Sequence, residues 1–387
     1  MHIIYAVSAC SDGVYQKLYE GSQRKPSIQA QKYHRLLIEG LGTITRVDVV
    51  SNPPVNREAM KKPWMWIPNE TFGNVVYHNT PAIRSPLLKQ PVVALTSFFR
   101  TLFLARKDSV LVVDCLNRTT SIFALLAAWI RGIRRVGIVT DLPEMMLSGH
   151  AAEVVSNFLI RRCTDYVMLT EAMNTRLNPT GKPCVILEGH ADISMANHQN
   201  RLEDKKKPRV VLYAGCICRQ YGVPQLMEGF ALANLPQTEL HLYGVCDPDI
   251  DLETITREHP NIRYGGVLLN YQVVEKETEA TLLVNTRPTV EEFVKYSFPS
   301  KNMEYMASGT PLLTSRLPGM PSDYYPYVYL IDEVTPQGVA DALTQVLAHT
   351  DEELHEKGAQ ARQFIMKTRN NISQAKKVLA MLGYNAD

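Results

Sequence analysis

The stretch "YSFPSKNMEYMASGTPLL", Tyr296 to Leu313, sets a carboxylate, Glu304, inside a short segment that otherwise reads as a small buried helix. Pro299 and Ser300 open that helix, Met303, Met306 and Ala307 give it an apolar face, and Gly309 to Pro311 stop it before Leu312 and Leu313 begin a strand. An unpaired buried carboxylate is costly. Glu304 therefore either meets a partner of its own or lies on the solvent face beside Lys301, three residues back; spacing alone leaves both open. Two further segments place chemistry at strand ends. "YAGCICRQYG", Tyr213 to Gly222, puts Gly215 after a strand and Arg219 just ahead of a helix, and "IRYGGV" closes another strand with Gly265 and Gly266. Glycines allow close backbone approach, a helix N-terminus such as that at Ser300 attracts phosphate, and Arg219 and Lys301 can neutralise a diphosphate. Glu304 stands one turn further on, too near a pyrophosphate for two like charges to coexist. It suits a ribose, whose two hydroxyls each donate a hydrogen bond worth roughly 1.5–3 kcal/mol to a charged acceptor.

Such groups converge only if the elements beneath them gather strand ends in one place. The front half alternates strand-like and helix-like segments: "HIIYAVSA", a helix from Ser27 to about Gly40, "RVDVV", "NVVYH", "VLVVDC", a helix through Ser121 to Ile130, "RVGIVTD", a helix near Ala151 to Arg162, "YVMLT" and "CVILEG". Several of these strands are unbroken Val, Ile and Leu runs, as expected where helices cover both faces of a parallel sheet. The polar, charged stretch Ala191 to Pro208 reads as a linker. The alternation then restarts with "RVVLYAG" and runs through "ELHLYG", "IRYGG", "ATLLVN", the helix containing Glu304, "PLLTS" and "YVYLI", before a long helical tail from Asp351 to Leu382. The expected architecture is α/β, with two Rossmann-like doubly wound domains facing a central cleft. Their expected bounds are 1–190, a linker at 191–208, 209–370, and a final helix at 371–387. Ligands of open α/β sheets bind beyond the carboxyl ends of the strands.

The totals agree with a protein of that size. The 387 residues are 45% hydrophobic and 21% charged, as in a globular chain with a substantial core. The seven cysteines include no CxxC pair, so neither a zinc site nor a disulfide framework is indicated. The net charge of +2 hides an asymmetry: residues 1–190 carry 22 Lys+Arg against 14 Asp+Glu, and the remainder 19 against 25. A basic front half points to an anionic partner. The chain has no basic run with interleaved aromatics and no nucleic-acid motif, which leaves an anionic membrane surface. "MHIIYAVSAC" lacks a basic leader and reads as a first strand. "PVVALTSFFRTLFLARK" (Pro91 to Lys107) and "SIFALLAAWIRGIRR" (Ser121 to Arg135) fall short of the roughly 20 residues that span a bilayer. Both end in basic residues and can lie on a membrane, although an amphipathic core helix is the default for either alone.

The back half resembles the donor-binding half of GT-B glycosyltransferases of family 4, whose members share "YxG…(K/R)xxG" and "SKxxEYxAxGxP"; here these stand as "YAGCICRQYG" and "SKNMEYMASGTP". The resemblance implies a nucleotide sugar held by Gly215, Arg219, Gly265, Gly266, Ser300 and Lys301, with Glu304 on the ribose. It also implies transfer with retention and no metal cofactor, the leaving diphosphate helping to deprotonate the acceptor. One departure stands out: the family's first glutamate, eight positions ahead of Glu304, is here Tyr296, with Glu291 and Glu292 upstream of it. The candidate catalytic residues are thus Glu292 and Tyr296 in the back half and Asp141 and His150 in the front half. Asp12, Gly13 and Asp114 also end strands, where helix capping is the commoner role. Lys25, Lys32 and Arg35 fringe the first long helix and read as a solvated face or an anion contact. The expected acceptor is a saccharide or lipid-linked intermediate of surface polysaccharide synthesis. The expected location is the cytoplasm, with the inner face of the cell membrane as a peripheral docking place. A nucleotide-sugar epimerase of the same fold and a non-catalytic nucleotide-sugar-binding subunit are the alternatives.

Overall fold

The structure, a computed structural model, describes residues 1–19, 28–55, 60, 62–146 and 149–384. Ser27 and Lys25 lie outside the described residues. The chain divides into two compact units, Met1–His190 with Asn371–Asp387, and Ala191–Asn370.

The first unit is built on strands β1 (His2–Val7), β2 (Arg46–Ser51), β3 (Trp64–Met65), β4 (Glu70–Phe72), β5 (Val75–Asn79), β6 (Ala82–Ile83), β7 (Ser109–Asp114), β8 (Arg134–Val139), β9 (Asp165–Met168) and β10 (Cys184–Ile186). Eight of them form one sheet in the order β10-β9-β8-β7-β1-β2-β5-β4, parallel except for the antiparallel edge strand β4. β3 and β6 pair as a small antiparallel ribbon. In-register rows such as Val47, Ile3 and Val110 stack one hydrophobic residue per strand across the centre. Leu37, Ile38 and Leu41 of the helix Ile28–Gly42 cover one face together with Val378 and Leu379.

Those last two residues belong to the tail. The stretch expected to be helical from Asp351 to Leu382 consists of two helices, Asp351–Thr368 and Asn371–Met381, the second starting where the separate final helix was expected. The break is local: the Ala191 N–H donates to the Arg369 carbonyl at 3.0 Å, occupying an acceptor that a continuous helix would need. Asn371 then donates to the Leu36 carbonyl and Gln374 to that of Gly189, which fixes the second helix in the first unit.

The helix Pro86–Leu104 is also a correction. With 19 residues it is long and apolar enough to cross a membrane by length and composition, contrary to the reading that it falls short. One side of it is nonetheless tied to the unit. Ser97 and Thr101 are fully buried, Asn52 donates to the Ser97 hydroxyl, and Arg100 donates to the Asn79 carbonyl at 3.1 Å.

The second unit carries β11 (Arg209–Ala214), β12 (Thr238–Tyr243), β13 (Ile262–Tyr264), β14 (Leu282–Asn285), β15 (Leu312–Ser315) and β16 (Tyr329–Ile331), all parallel, in the order β13-β12-β11-β14-β15-β16. Alternate residues of β11 serve opposite faces. Val211 and Tyr213 pack with the helices Val223–Ala233 and Pro336–Leu347, and Val210 and Leu212 pack with the helix Ser300–Ser308. Both faces are covered, which is why these strands read as unbroken apolar runs.

Residues 191–208, polar enough to read as a linker, are instead fastened within this unit. Arg362 donates to the carbonyls of Met195, Ala196 and His198. The Lys205 amine donates at 2.9 Å to the carbonyls of Thr278 and Ala280 and to the Thr310 hydroxyl, and burial pushes its pKa down to about 7. Charged side chains that look solvated in sequence here donate to backbone carbonyls.

The helix Ser300–Ser308 is fixed to the strand ends by two buried polar residues that the sequence reading passed over. The Tyr305 hydroxyl accepts from the Ala214 N–H at 2.8 Å and lies 3.1 Å from the Ala214 carbonyl, sealing the last residue of β11. Asn302 accepts from Asn285 at 2.7 Å and donates to Thr314 at 3.2 Å, spanning the ends of β14 and β15. Tyr305→Phe keeps the ring and leaves both Ala214 backbone groups buried without a partner, so it is expected to destabilise the protein by about 2–3 kcal/mol, read as a lowered urea midpoint at unchanged slope.

Candidate functional site

Strand order in the second unit reverses between β11 and β14, since the chain winds outward from β11 in one direction and returns to start at β14 in the other. Helices on the two sides of such a point lie on opposite faces, leaving a crevice at the carboxyl ends. Gly215 follows β11 there, and Thr286 and Arg287 follow β14.

The floor of that crevice is shaped by a lysine lying across a glycine. The Lys301 amine donates to the Tyr213 hydroxyl at 2.9 Å and sits 4.3 Å from the centre of the Tyr213 ring. Tyr213 passes the interaction on by donating to the Cys216 carbonyl at 2.8 Å. A Cβ added at Gly215, whose φ is +156°, would fall 1.6 Å from the Lys301 nitrogen, so no side chain fits while the lysine holds this position. Gly222, at φ +71°, is equally constrained: a Cβ there would lie 2.0 Å from the Thr286 carbonyl oxygen, and the Thr286 hydroxyl closes the contact by donating to the Gly222 carbonyl.

A second cation joins the first. The Arg287 guanidinium lies 5.3 Å from the centre of the Tyr221 ring and 4.9 Å from that of Phe293, while Lys301 lies 5.4 Å from the same Tyr221 ring. Burial pushes the Lys301 pKa down to about 8; the Glu304 carboxylate opposes that shift and the Arg287 charge adds to it. Two cations gathered about one aromatic ring at the start of a nine-residue helix make an arrangement that can hold an anion.

The residues singled out in sequence distribute as follows. Gly215, Lys301 and Glu304 come together, Glu304 half-buried one turn beyond Lys301 and acting on its charge. Ser300 is exposed at the first position of the helix. Arg219 is exposed on the single turn Arg219–Tyr221, and the ring of Tyr221, not the Arg219 guanidinium, underlies the two cations. Gly265 and Gly266 follow β13, where the Gly244 N–H donates to the Gly266 carbonyl and Gly265 lies against the Tyr243 ring. Glu292 is exposed and Tyr296 half-buried at the two ends of one short turn whose Val294 enters the core. Asp141 and His150 belong to the first unit: Asp141 is half-buried two residues beyond β8, and the His150 side chain is 86% exposed at the start of the helix His150–Arg162, near Glu153. Residues 147 and 148 between them lie outside the described residues. Of the remaining strand-end residues, Asp12 bonds Gln16 in the first turn of a helix, and Asp114 caps its own loop by accepting from the Leu116 N–H. Both roles are structural. Arg287 and Tyr221 escaped the sequence reading; the available signal was an arginine two residues after an apolar strand, in "LLVNTRP".

Comparison with known proteins bears on the fold. Residues 224–380 match the family described as glycosyl transferase-like. A crystal structure of the Anabaena protein HepE in complex with UDP superposes with a TM-score of 0.64 at 13% identity, covering 99% of this chain and 100% of that one; HepE is also known in complex with UDP-glucose. Sucrose-phosphate synthase from Thermosynechococcus elongatus gives 0.64 at 15% identity, with 99% of each chain covered. The lipopolysaccharide outer core galactosyltransferase WaaB, in its apo form, gives 0.60 at 15% identity, again with 99% of each covered. No curated protein matches the chain by sequence. The fold is GT-B, two Rossmann-like parallel-sheet domains, as the resemblance of the back half implies.

A diphosphate bound at the crevice would stabilise the charged form of Lys301. Because the free amine titrates near 8, affinity for a nucleoside diphosphate is expected to be flat between pH 6.5 and 7.5 and to fall by up to roughly tenfold per unit above pH 8. Calorimetric titration across that range checks this, and Lys301→Arg should abolish the dependence. Gly215→Ala, which drives the amine out of its place, is expected to weaken the same binding by about tenfold or more at pH 7.

Proposed function

We propose that this protein is a glycosyltransferase that moves a sugar, with retention of anomeric configuration, from a nucleoside-diphosphate donor bound in the second unit to a hydroxyl of a saccharide or lipid-linked acceptor. The observation that carries the reading is the pairing of Lys301 and Arg287 about Tyr221 at the head of the helix Ser300–Ser308, beside a strand end kept bare by Gly215. Such a site holds the two negative charges of a diphosphate and gains most as the bond to the sugar breaks, when charge accumulates on the leaving group. Lys301, charged at neutral pH and screened from water, neutralises that developing charge, and Arg287 shares it. Glu304, on the next turn, accepts from the ribose hydroxyls and fixes how deeply the nucleotide sits. No divalent cation is needed for a leaving group already met by two cations and a helix terminus, so turnover is expected to persist unchanged in EDTA.

HepE binds UDP and UDP-glucose, which makes uridine nucleotides the first donors to try. WaaB, a lipopolysaccharide outer core galactosyltransferase, supports a surface-polysaccharide acceptor. A second reading is favoured by one position: Tyr296 replaces the expected first glutamate, and Glu292 ahead of it is exposed at the far end of the same turn. On that reading the protein binds a nucleotide sugar and does not turn it over.

A calorimetric screen against UDP, GDP, ADP, dTDP and CMP separates these. Selective binding of one nucleoside diphosphate, weakened by roughly 1.5–3 kcal/mol in Glu304→Ala, is expected; no binding to any of them overturns the proposal. With the donor known, acceptor-dependent release of the free diphosphate is expected from the transferase. Binding without release under any saccharide or lipid-linked acceptor establishes the second reading.

A further inference from the structure

The first unit leaves a broad apolar surface uncovered. Three neighbouring helices, Pro86–Leu104, Arg118–Ile130 and His150–Arg162, pack side by side on one face of its sheet. Each buries one side, and each turns a hydrophobic stripe outward: Leu95, Phe99 and Phe103 at steps of four on the first, Leu126 and Trp129 on the second, Phe158 on the third. Phe103 is 79% exposed, Trp129 67% and Leu95 56%, and Phe99 and Phe103 stack on one another in the open. Single exposed hydrophobics are ordinary, whereas large exposed hydrophobics on three adjacent helices mark an interaction surface.

Charge says what that surface meets. The three helices occupy successive crossovers of a parallel sheet, so they run in the same direction and their carboxyl ends gather along one edge. Basic residues collect at that edge: Arg106 and Lys107 just past the first helix, Arg131 past the second, Arg161 and Arg162 in the last turn of the third, all exposed. Residues 86–108, 118–135 and 150–165 together hold ten Lys and Arg against three Asp and Glu, of which Asp165 is already paired with Arg134. Arg162 lies over the exposed Phe158 ring, 4.7 Å from its centre, so cation and hydrophobe are presented together. Favourable placement of cations at helix carboxyl ends accounts for some of these residues, but it offers no reason for phenylalanine and tryptophan on the adjoining outer faces. A hydrophobic face bordered by arginine and lysine matches the acyl and headgroup layers of an anionic leaflet.

We propose that this three-helix face docks the protein on the surface of an anionic lipid bilayer, the aromatic stripes entering the headgroup boundary and the arginine edge meeting lipid phosphates. The helix Pro86–Leu104 lies in the plane of the membrane and does not span it, because Ser97 and Arg100 bind its inner side to the unit, where Thr101 is also buried. The inference does not depend on the sugar-transfer reading, since it uses no residue of the nucleotide crevice.

The test is flotation of the full-length protein with vesicles of phosphatidylcholine containing phosphatidylglycerol, with pure phosphatidylcholine vesicles in parallel. Binding to the anionic vesicles, weakened by salt and absent on the neutral ones, is expected. Each cation near the surface strengthens binding roughly fivefold, so Arg161→Glu combined with Arg162→Glu should cost tenfold or more, and Phe99→Ser with Phe103→Ser should cost at least as much. All four positions are surface sites, so circular dichroism and thermal melting should match the unaltered protein, and melting of the nucleotide-free protein serves as the folding control. Lack of binding to anionic vesicles overturns the proposal. So does equal binding to both vesicle types, and so does a concentration-dependent dimer in light scattering that Phe99→Ser with Phe103→Ser dissolves, which assigns the face to a second copy of the chain.

Discussion

A parallel sheet wound outward from a central strand in two directions cannot cover its own midpoint, and that constraint fixes most of what this protein can do. In the second unit the reversal falls between β11 and β14, and in the first between β1 and β7. Helices leave the two sides of the reversal on opposite faces, so backbone groups at the strand ends there are reached only by loops and by the head of a helix. The sequence answers differently in each place. Beyond β11 it supplies glycine, two cations and a helix N-terminus, groups suited to an anion. Beyond β1 it supplies Ser8 and Ser11, whose hydroxyls bind the Asn52 carbonyl and the Glu70 carboxylate, together with the Asp114 carboxylate at the end of β7.

Lys301 shows how the crevice is kept ready. An ammonium withdrawn from water loses hydration that a hydroxyl and two aromatic faces replace only in part, which is why its pKa falls to about 8. Arg287 adds repulsion. The mutual repulsion of the two cations is an electrostatic cost that a bound anion would relieve. The geometry is held from behind by neutral groups: Tyr305 on Ala214, and Asn302 between Asn285 and Thr314. Those contacts do not titrate in the range where Lys301 does, so the scaffold keeps its shape while the site changes charge.

The parts of this arrangement that depend on neighbours in sequence were legible there. Gly215 after an apolar strand, and the helix from Ser300 ended by Gly309, need only local rules, and the strands of both sheets announce themselves as Val, Ile and Leu runs. What depends on tertiary partners was not legible. Asn302 reads as a surface residue until Asn285 and Thr314 stand opposite it. Arg287 has no local mark beyond following a strand, and Arg219, conspicuous before its helix, is exposed, while the Tyr221 ring lies beside the two cations. Residues 191–208 misled for the same reason, since Lys205 and Asn200 look solvated until the carbonyls of Thr278, Ala280 and Ser308 are found beside them. The helical tail broke at Arg369 because Ala191, far off in sequence, takes its carbonyl.

The outer face of the first unit extends the same lesson to charge. The excess of Lys and Arg in the front half is visible as a total, but a total does not distinguish a scattered solvated surface from an organised one. Organisation comes from the crossover rule: helices that return to the same end of parallel strands must finish side by side, so basic residues placed after each helix become one edge without being near one another in sequence. Exposed hydrophobic residues on those three neighbouring helices then lie on the same side of the sheet as that edge, and their grouping cannot be read from any helix alone. Had the stripes served the core, they would point to the sheet, where Val93, Ala94, Ala124 and Leu159 already fill the space. The outward stripes are thus a second hydrophobic surface on helices whose first is satisfied, and the arginine edge gives that surface an orientation toward negative charge.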